Sequence, residues 1–246
     1  MSSSKRIRDF VDSSQKLIEQ SGGFLSIDQA LDSIVSYKTY SAGFDESVDV
    51  SVKLGIDPKR GEHVVKTNVV LPNGTGKVVK ALVFASGDDA IEAKKLGATY
   101  IGLENLIEQI IAGELVPGKD FTSCVATIDS MLVLSKSKAV RILGVAGMMP
   151  NSKIGTAAKD IKPILKEVLS GRVELKGDRA AFIKMSIGRI SFKKEFLREN
   201  LFAVYNAIKL AKPATLKGNL FNSVRLSVSM MGVSFEIKMT DLYASA

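Results

Sequence analysis

Tryptophan is absent from this chain, and cysteine and histidine occur once each, as Cys124 and His63. A single thiol excludes an intrachain disulfide and points to a reducing compartment. Cys124 sits in an apolar run, where a small core residue is the expected role. A single imidazole leaves His63 without a histidine partner, and His63 with Cys124 is too sparse a set for a metal. No Gly-x-Ser-x-Gly elbow accompanies His63, so a hydrolase triad has no support. Aromatic residues make up only 7%, which disfavours a base-stacking platform of the single-strand type. No run of about 18 apolar residues exists, so no helical membrane span is expected. The first residues, Met1 to Phe10, contain no apolar signal core, and Asp9 and Asp12 argue against a transit peptide.

What the chain has in excess is positive charge. Thirty-four Lys and Arg stand against 26 Asp and Glu, a formal charge of +8 with a pI near 9.4. That balance points to a polyanionic partner, either nucleic acid or an anionic membrane surface, the alternative being a solvated basic face. Folded RNA or duplex backbone suits the composition better than a stacked single strand.

Hydrophobic patterning divides the chain in two. Residues 47–54, Ser-Val-Asp-Val-Ser-Val-Lys-Leu, alternate strictly, as do 224–228 and 233–237, each marking a strand with one buried face. Between them, 78–84, 99–102 and 124–127 are short apolar runs separated by helical segments, the pattern of a parallel sheet covered on both faces. The reading is an α+β discontinuous two-layer domain formed by both chain ends, residues 1–72 and 157–246, with an inserted α/β Rossmann-like domain at 73–156. Pro72, Gly74 and Gly155 are the expected hinge residues. Ser26 and Gln29 have the form of a capping box, and a helix from about 160 to 170 opens the returning segment. The apolar parity switches from even (Val224, Leu226, Val228) to odd (Val233, Phe235, Ile237), so a tight turn or bulge belongs at Met230-Met231-Gly232.

Enzymatic chemistry finds little support. Gly74-Thr75-Gly76-Lys77-Val78 has the wrong spacing for a phosphate loop and lacks the hydroxyl after the lysine. The turn after the 78–84 strand reads Ala-Ser-Gly-Asp-Asp, and its two acids would repel phosphate at a helix N-terminus. Asp45, Glu46 and Asp49 are better read as capping and solvating a strand start than as acid/base groups. No catalytic residue, metal site or cofactor is expected.

Binding chemistry is better supported. The outer segments carry Lys53, Lys59, Arg60, Lys66, Arg172, Lys176, Arg179, Lys184, Arg189, Lys193, Lys194 and Arg225. Lys176, Lys184 and Arg225 fall in or beside predicted strands, where one sheet face or edge presents them together. If the set neutralises roughly 6–10 phosphates, affinity falls steeply with salt.

Several motifs recur in collinear order over about residues 24–238. They are Phe44-Asp45-Glu46-Ser47-Val48-Asp49-Val50, Leu54-Gly55-Ile56-Asp57-Pro58, Leu71-Pro72-Asn73-Gly74-Thr75-Gly76-Lys77, Gly97-Ala98-Thr99-Tyr100-Ile101-Gly102, Met149-Pro150-Asn151-Ser152-Lys153-Ile154-Gly155-Thr156, Ile187-Gly188-Arg189 and Ala211-Lys212-Pro213. In these the chain resembles the bacterial-type large-subunit ribosomal proteins of the L-one family. The resemblance implies the two-domain organisation with a hinge and binding to the mobile stalk of large-subunit ribosomal RNA near the exit site. It also implies assistance in release of deacylated tRNA, and repression of translation through the protein's own mRNA. A bacterial cytoplasmic or organellar ribosome, no membrane, and a monomer when free go with it.

Carried over by position, the family's RNA surface places Phe44 and Ser47 beside the strand and turn from Ser223 through Gly232. Arg225 lies in that strand, and Met230-Met231-Gly232 stands where the family reads Thr-Met-Gly. Ser229 is the substitute for the missing hydroxyl; the alternative role for Met230 and Met231 is to pack a core edge. Lys184 stands where many relatives have histidine. Phe44 is expected behind or against this surface, or else as a core plug. The RNA-binding set expected from charge and resemblance together is therefore Phe44, Ser47, Lys53, Lys176, Lys184, Ser223, Arg225, Met230, Met231 and Gly232. In the inserted domain, Gly144-Val145-Ala146-Gly147-Met148 replaces the family's Gly-Pro-Arg-Gly-Leu and loses its arginine.

Overall fold

The alternation over 47–54 becomes a strand whose Val48, Val50, Val52 and Leu54 are buried, while Ser47, Asp49 and Ser51 are half-buried and Lys53 is exposed. The computed structural model of the protein describes residues 5–37, 44–57, 65–152, 155–158, 160–213, 215–216 and 218–244. Lys59, Arg60 and His63 lie outside the described residues. The chain divides into two compact units, Met1–Gly76 with Val173–Ala246, and Lys77–Arg172.

In the first unit the elements are α1 (Lys5–Gln20), α2 (Ile27–Tyr37), β1 (Ser47–Leu54) and β2 (Lys66–Val70). The second unit holds β3 (Ala81–Phe84), α3 (Asp88–Lys95), β4 (Tyr100–Gly102), α4 (Glu104–Ala112), β5 (Ser123–Thr127), α5 (Ile128–Lys136), α6 (Ala139–Val145), β6 (Ala157–Ala158) and α7 (Ile161–Leu169). The chain then returns through β7 (Arg172–Lys176), β8 (Phe182–Arg189), α8 (Lys194–Leu210), β9 (Phe221–Val228), β10 (Ser234–Glu236) and α9 (Met239–Ala244).

The first unit is built on a four-stranded sheet in the order β10-β9-β1-β8, every neighbour antiparallel. Its buried face packs Val48, Val50, Val52, Ile183, Met185, Val224, Leu226 and Phe235 against Leu31 and Ile34 of α2 and Leu197, Leu201 and Val204 of α8. Each such aliphatic side chain withdrawn from water contributes about 1.5–3 kcal/mol, which is what holds the two layers together. The expected capping box is present: Ser26 Oγ accepts from the Gln29 amide at 3.2 Å, and Gln29 Oε1 accepts from the Ser26 amide at 3.1 Å. A separate ladder pairs β2 with β7.

The second unit is a four-stranded sheet in the order β4-β3-β5-β6, all parallel. Alternate residues of its strands go to opposite cores. Leu82, Phe84, Cys124 and Ala126 join Leu106, Ile107, Ile110, Leu134 and Leu143 on one side. Ala81, Val83 and Val125 join Ile161, Ile164, Leu165 and Val168 on the other. Burial on both faces is why these strands read as continuous apolar runs.

Three expectations are corrected. The return does not fall at 156/157, because α7 buries Ile161, Ile164, Leu165 and Val168 in the second unit's core, and the chain crosses back only after Arg172. The strand expected from Val78 begins at Ala81, with Val78 84% exposed ahead of it. Of the expected hinge residues, Gly155 lies well away from the return crossing at 172/173, whereas Pro72 and Gly74 lie just ahead of the outward crossing at 76/77. Gly74 belongs to the first unit, where its carbonyl accepts from Asn200 Nδ2 at 3.0 Å and its amide donates to Leu71 at 3.1 Å; Pro72 lies between them in the chain. Gly155 belongs to the second, its carbonyl accepting from Arg172 Nη1 at 3.2 Å. No helix among the described residues is long and apolar enough to cross a membrane.

Candidate nucleic-acid interface

Since α2 and α8 pack on one face of the β10-β9-β1-β8 sheet, the opposite face is left to the odd residues of β1 and their cross-strand partners. Ser51 lies between Arg225 of β9 and Lys184 of β8, and Glu236 of β10 lies opposite Arg225. In the neighbouring row Lys53 lies between Ser223 and Phe182. Asp49 lies between Ser227 and Ser186, and Ser234 pairs with Ser227. The face thus combines hydroxyls with the exposed cations Lys53, Lys184 and Arg225, the half-buried acids Asp49 and Glu236, and the ring of Phe182.

The acids on this face are engaged. Arg225 donates from Nε (3.1 Å) and Nη2 (2.9 Å) to Glu236 Oε2. Lys184 Nζ lies 3.5 Å from Asp178 Oδ2. The Phe182 and Ala180 amides, each donating to Asp178 Oδ1 at 2.8 Å, hold the Asp178 carboxyl below its ordinary range, and Lys184 adds to the effect. These are solvent-exposed pairs, weak in net energy and free to exchange a carboxylate for a phosphate.

One end of the face is closed by the turn after β9. Ser229 donates its amide to the Ser47 carbonyl at 3.1 Å, and the Met231 amide donates to Val228 at 3.2 Å. Gly232 takes φ 73°, the left-handed region that favours glycine, and a Cβ there would meet nothing within 4 Å, so the approach to its backbone is open. Met230 is 53% exposed, and Phe44 is 55% exposed beside the start of β1, so Phe44 is not a core plug.

The structure therefore brings Ser47, Lys53, Lys184, Ser223 and Arg225 onto one face, with Phe44, Met230 and Gly232 exposed at its end. Two expected residues fall elsewhere. Met231 is fully buried with Phe235 and Val228, since the turn that changes parity points this side chain inward, and it has no surface to offer RNA. Lys176 is exposed but ends β7, whose partner is β2, so it stands on the separate ladder.

Residues not expected at the site prove to shape it. Glu46 is fully buried, and its Oε2 accepts from the Met230 amide at 3.2 Å. Burial first, and then this carboxylate, raise the Tyr37 hydroxyl above its ordinary pKa. Asp45 accepts from the Ser191 amide (3.1 Å) and hydroxyl (2.7 Å), and the Arg189 guanidinium donates to the Asp45 carbonyl. These contacts fix residues 44–46 against the turn at 189–191. Asn200, fully buried in α8, accepts from the Asn73 amide at 3.1 Å and donates to the carbonyls of Gly74 (3.0 Å) and Ile187 (2.7 Å). No group of three or more metal-ligating side chains occurs among the described residues.

A family model described as the ribosomal protein L1p/L10e family matches residues 35–232. The large ribosomal subunit protein uL1 of Paraburkholderia xenovorans (strain LB400) is 44% identical over 219 residues, 89% of this chain and 90% of the relative. That of Ralstonia pickettii (strain 12J) is 44% identical over 221 residues, 90% of this chain and 92% of the relative. The uL1 of Burkholderia ambifaria (strain MC40-6) is 44% identical over 204 residues, 83% and 85% of the two chains. The motifs quoted from the sequence thus belong to a likeness that spans most of the protein. This chain belongs to the ribosomal protein L1p/L10e family.

Proposed function

We propose that the hydroxyl-and-cation face of the first unit grips the mobile stalk of large-subunit ribosomal RNA near the exit site, and that the protein thereby assists release of deacylated tRNA. The coarser part follows from the family: this is a large-subunit ribosomal protein that binds ribosomal RNA, and it is not an enzyme. Its relatives are bacterial ribosomal proteins, and a cytoplasmic, ribosomal location goes with them. The free protein is proposed to be monomeric.

The observation that carries the reading is the placement of Lys53, Lys184 and Arg225 among Ser47, Ser51, Ser223 and Ser227 on a face that the helices leave open. The cations supply affinity through phosphates. The serine hydroxyls and the open backbone at Gly232 are suited to sugar edges and 2′-hydroxyls, which is how a protein reads the shape of folded RNA. A surface that reads shape accepts any RNA with the same shape, and this supports a second proposed role as repressor bound to the protein's own mRNA.

Filter binding of a stalk fragment across a salt series tests the proposal. Affinity should fall steeply as salt rises. Lys184→Glu should weaken binding and reduce the salt slope by about 1 for each phosphate that is no longer neutralised. Absent or salt-insensitive binding would remove the reading.

A further inference from the structure

On the open face of the sheet, among serines and cations, stands an aromatic ring. Phe182 is half-buried there, directly across from Lys53, with Lys184 two residues along β8 and Ser51 on the diagonal. An apolar ring on an otherwise polar face has no hydrophobic layer to pack against. Its companions are cations: Lys184 Nζ lies 5.3 Å from the ring centroid and Lys53 Nζ 5.8 Å.

The backbone beneath the ring is firmly held. The Phe182 amide donates to Asp178 Oδ1 at 2.8 Å, and its carbonyl accepts from the Asp178 amide at 2.8 Å. The preceding residue, Ala181, has φ 61° and is the one non-glycine with positive φ among the described residues. It is held there by its amide donating to Asp178 (3.1 Å) and its carbonyl accepting from Leu54 (2.8 Å). A left-handed alanine is strained and persists only where its surroundings over-determine it, as happens at binding sites. Here the strained residue is the one that aims Phe182.

From the ring, the two cations and the rigid turn we infer that Phe182 is a stacking shelf for one unpaired base of the bound RNA, with Lys53 and Lys184 reaching the phosphates on either side of that nucleotide. The inference rests on the RNA-binding reading above and adds to it a subsite for a base that lies outside the paired stem. Every base has a π-face, so the shelf recognises an unstacked nucleotide rather than a particular letter. The ammonium groups now over the ring lose little by exchanging it for phosphate, since a cation–π contact at an exposed site is weak.

The test uses the full chain and a stalk fragment that retains its unpaired nucleotides. Phe182→Leu keeps an apolar side chain and removes the ring. Affinity should fall about tenfold or more while the salt slope stays at the wild-type value, because every phosphate keeps its cation. Phe182→Tyr should restore the affinity. Replacing the unpaired nucleotides one at a time by abasic residues should weaken wild type at one position only, and the same replacement should leave Phe182→Leu unaffected. An unchanged thermal midpoint for Phe182→Leu shows that the fold is intact. If Phe182→Leu binds as tightly as wild type, or every abasic fragment weakens both proteins equally, the shelf is overturned and the RNA reading stands. If wild type itself fails to bind, both fall together.

Discussion

The carboxylate of Glu46 accepts the main-chain N–H of Met230 at 3.2 Å, joining residues 184 apart in sequence. One partner immediately precedes β1, and the other lies in the turn that leaves β9. Because Glu46 is fully buried, this is how the core sets the position of a turn that faces the candidate RNA surface. Glu46→Ala leaves the Met230 amide without this acceptor and opens a cavity. It should lower stability by about 1–3 kcal/mol and also weaken binding of the stalk fragment. Urea denaturation checks the first outcome and filter binding the second; a variant with wild-type stability would show that the turn does not depend on this contact.

Asn200 joins three chain segments through one side chain: α8, which carries it, the 73–74 turn, and Ile187 of β8. Asn200→Leu keeps a side chain of similar length but leaves an amide and two carbonyls without these partners. A loss of about 2 kcal/mol or more is expected, larger than for Asn206→Leu at an exposed position of the same helix. Denaturant midpoints of the two variants provide the comparison.

The depressed pKa of Asp178 has a defined pH consequence. Its carboxyl is held below the ordinary 3.8 by the amide of Phe182 first, then that of Ala180, and by Lys184. A group with a lowered folded pKa contributes stability above its unfolded value and loses it as pH falls through the folded one. The turn at 178–181 should therefore stay intact down to the ordinary carboxylate range and loosen only below it. Carboxyl chemical shifts followed by NMR should show Asp178 titrating below that range, and Asp178→Asn should abolish the step.

Cys124 is a buried thiol whose pKa burial pushes up to about 12. A thiol rather than a thiolate is present near neutrality, so reaction with an aromatic disulfide reagent at about pH 8 should be negligible in the native protein. It should become complete in denaturant. Rapid native labelling would contradict the packing of β5 against Leu82 and Phe84.

How far the fold is legible in the sequence depends on where its causes lie along the chain. Strands β1, β8 and β9 each have one buried face, so alternation announces β1 and β9 clearly, and the parity switch after Val228 correctly requires a turn. The same parity does not tell that Met231 is the buried methionine and Met230 the exposed one, because a turn, unlike a strand, has no fixed period. Glu46 and Asn200 escape a sequence reading for a different reason: their partners are distant in the chain, and a lone Glu or Asn carries no local sign of burial. Helices α5 and α6 are equally hard to read. Thr127 caps α5 directly at the end of β5, accepting from the Ser130 amide at 3.2 Å, so no loop separates them. Ile128, Leu132 and Val133 are exposed on α5, which blurs the apolar stripe. Helix α7 is legible as a helix, but an amphipathic pattern does not state which unit receives its apolar face.

The central claim is that the sheet face opposite the helices is the one that meets RNA, and lysine acetylation read by mass spectrometry with and without the stalk fragment tests it most directly. Lys53 and Lys184 should be protected by RNA, while Lys209 of α8, on the helical layer, should react equally in both samples. Unchanged acetylation of Lys53 and Lys184 in a complex shown by filter binding to be intact would contradict the account.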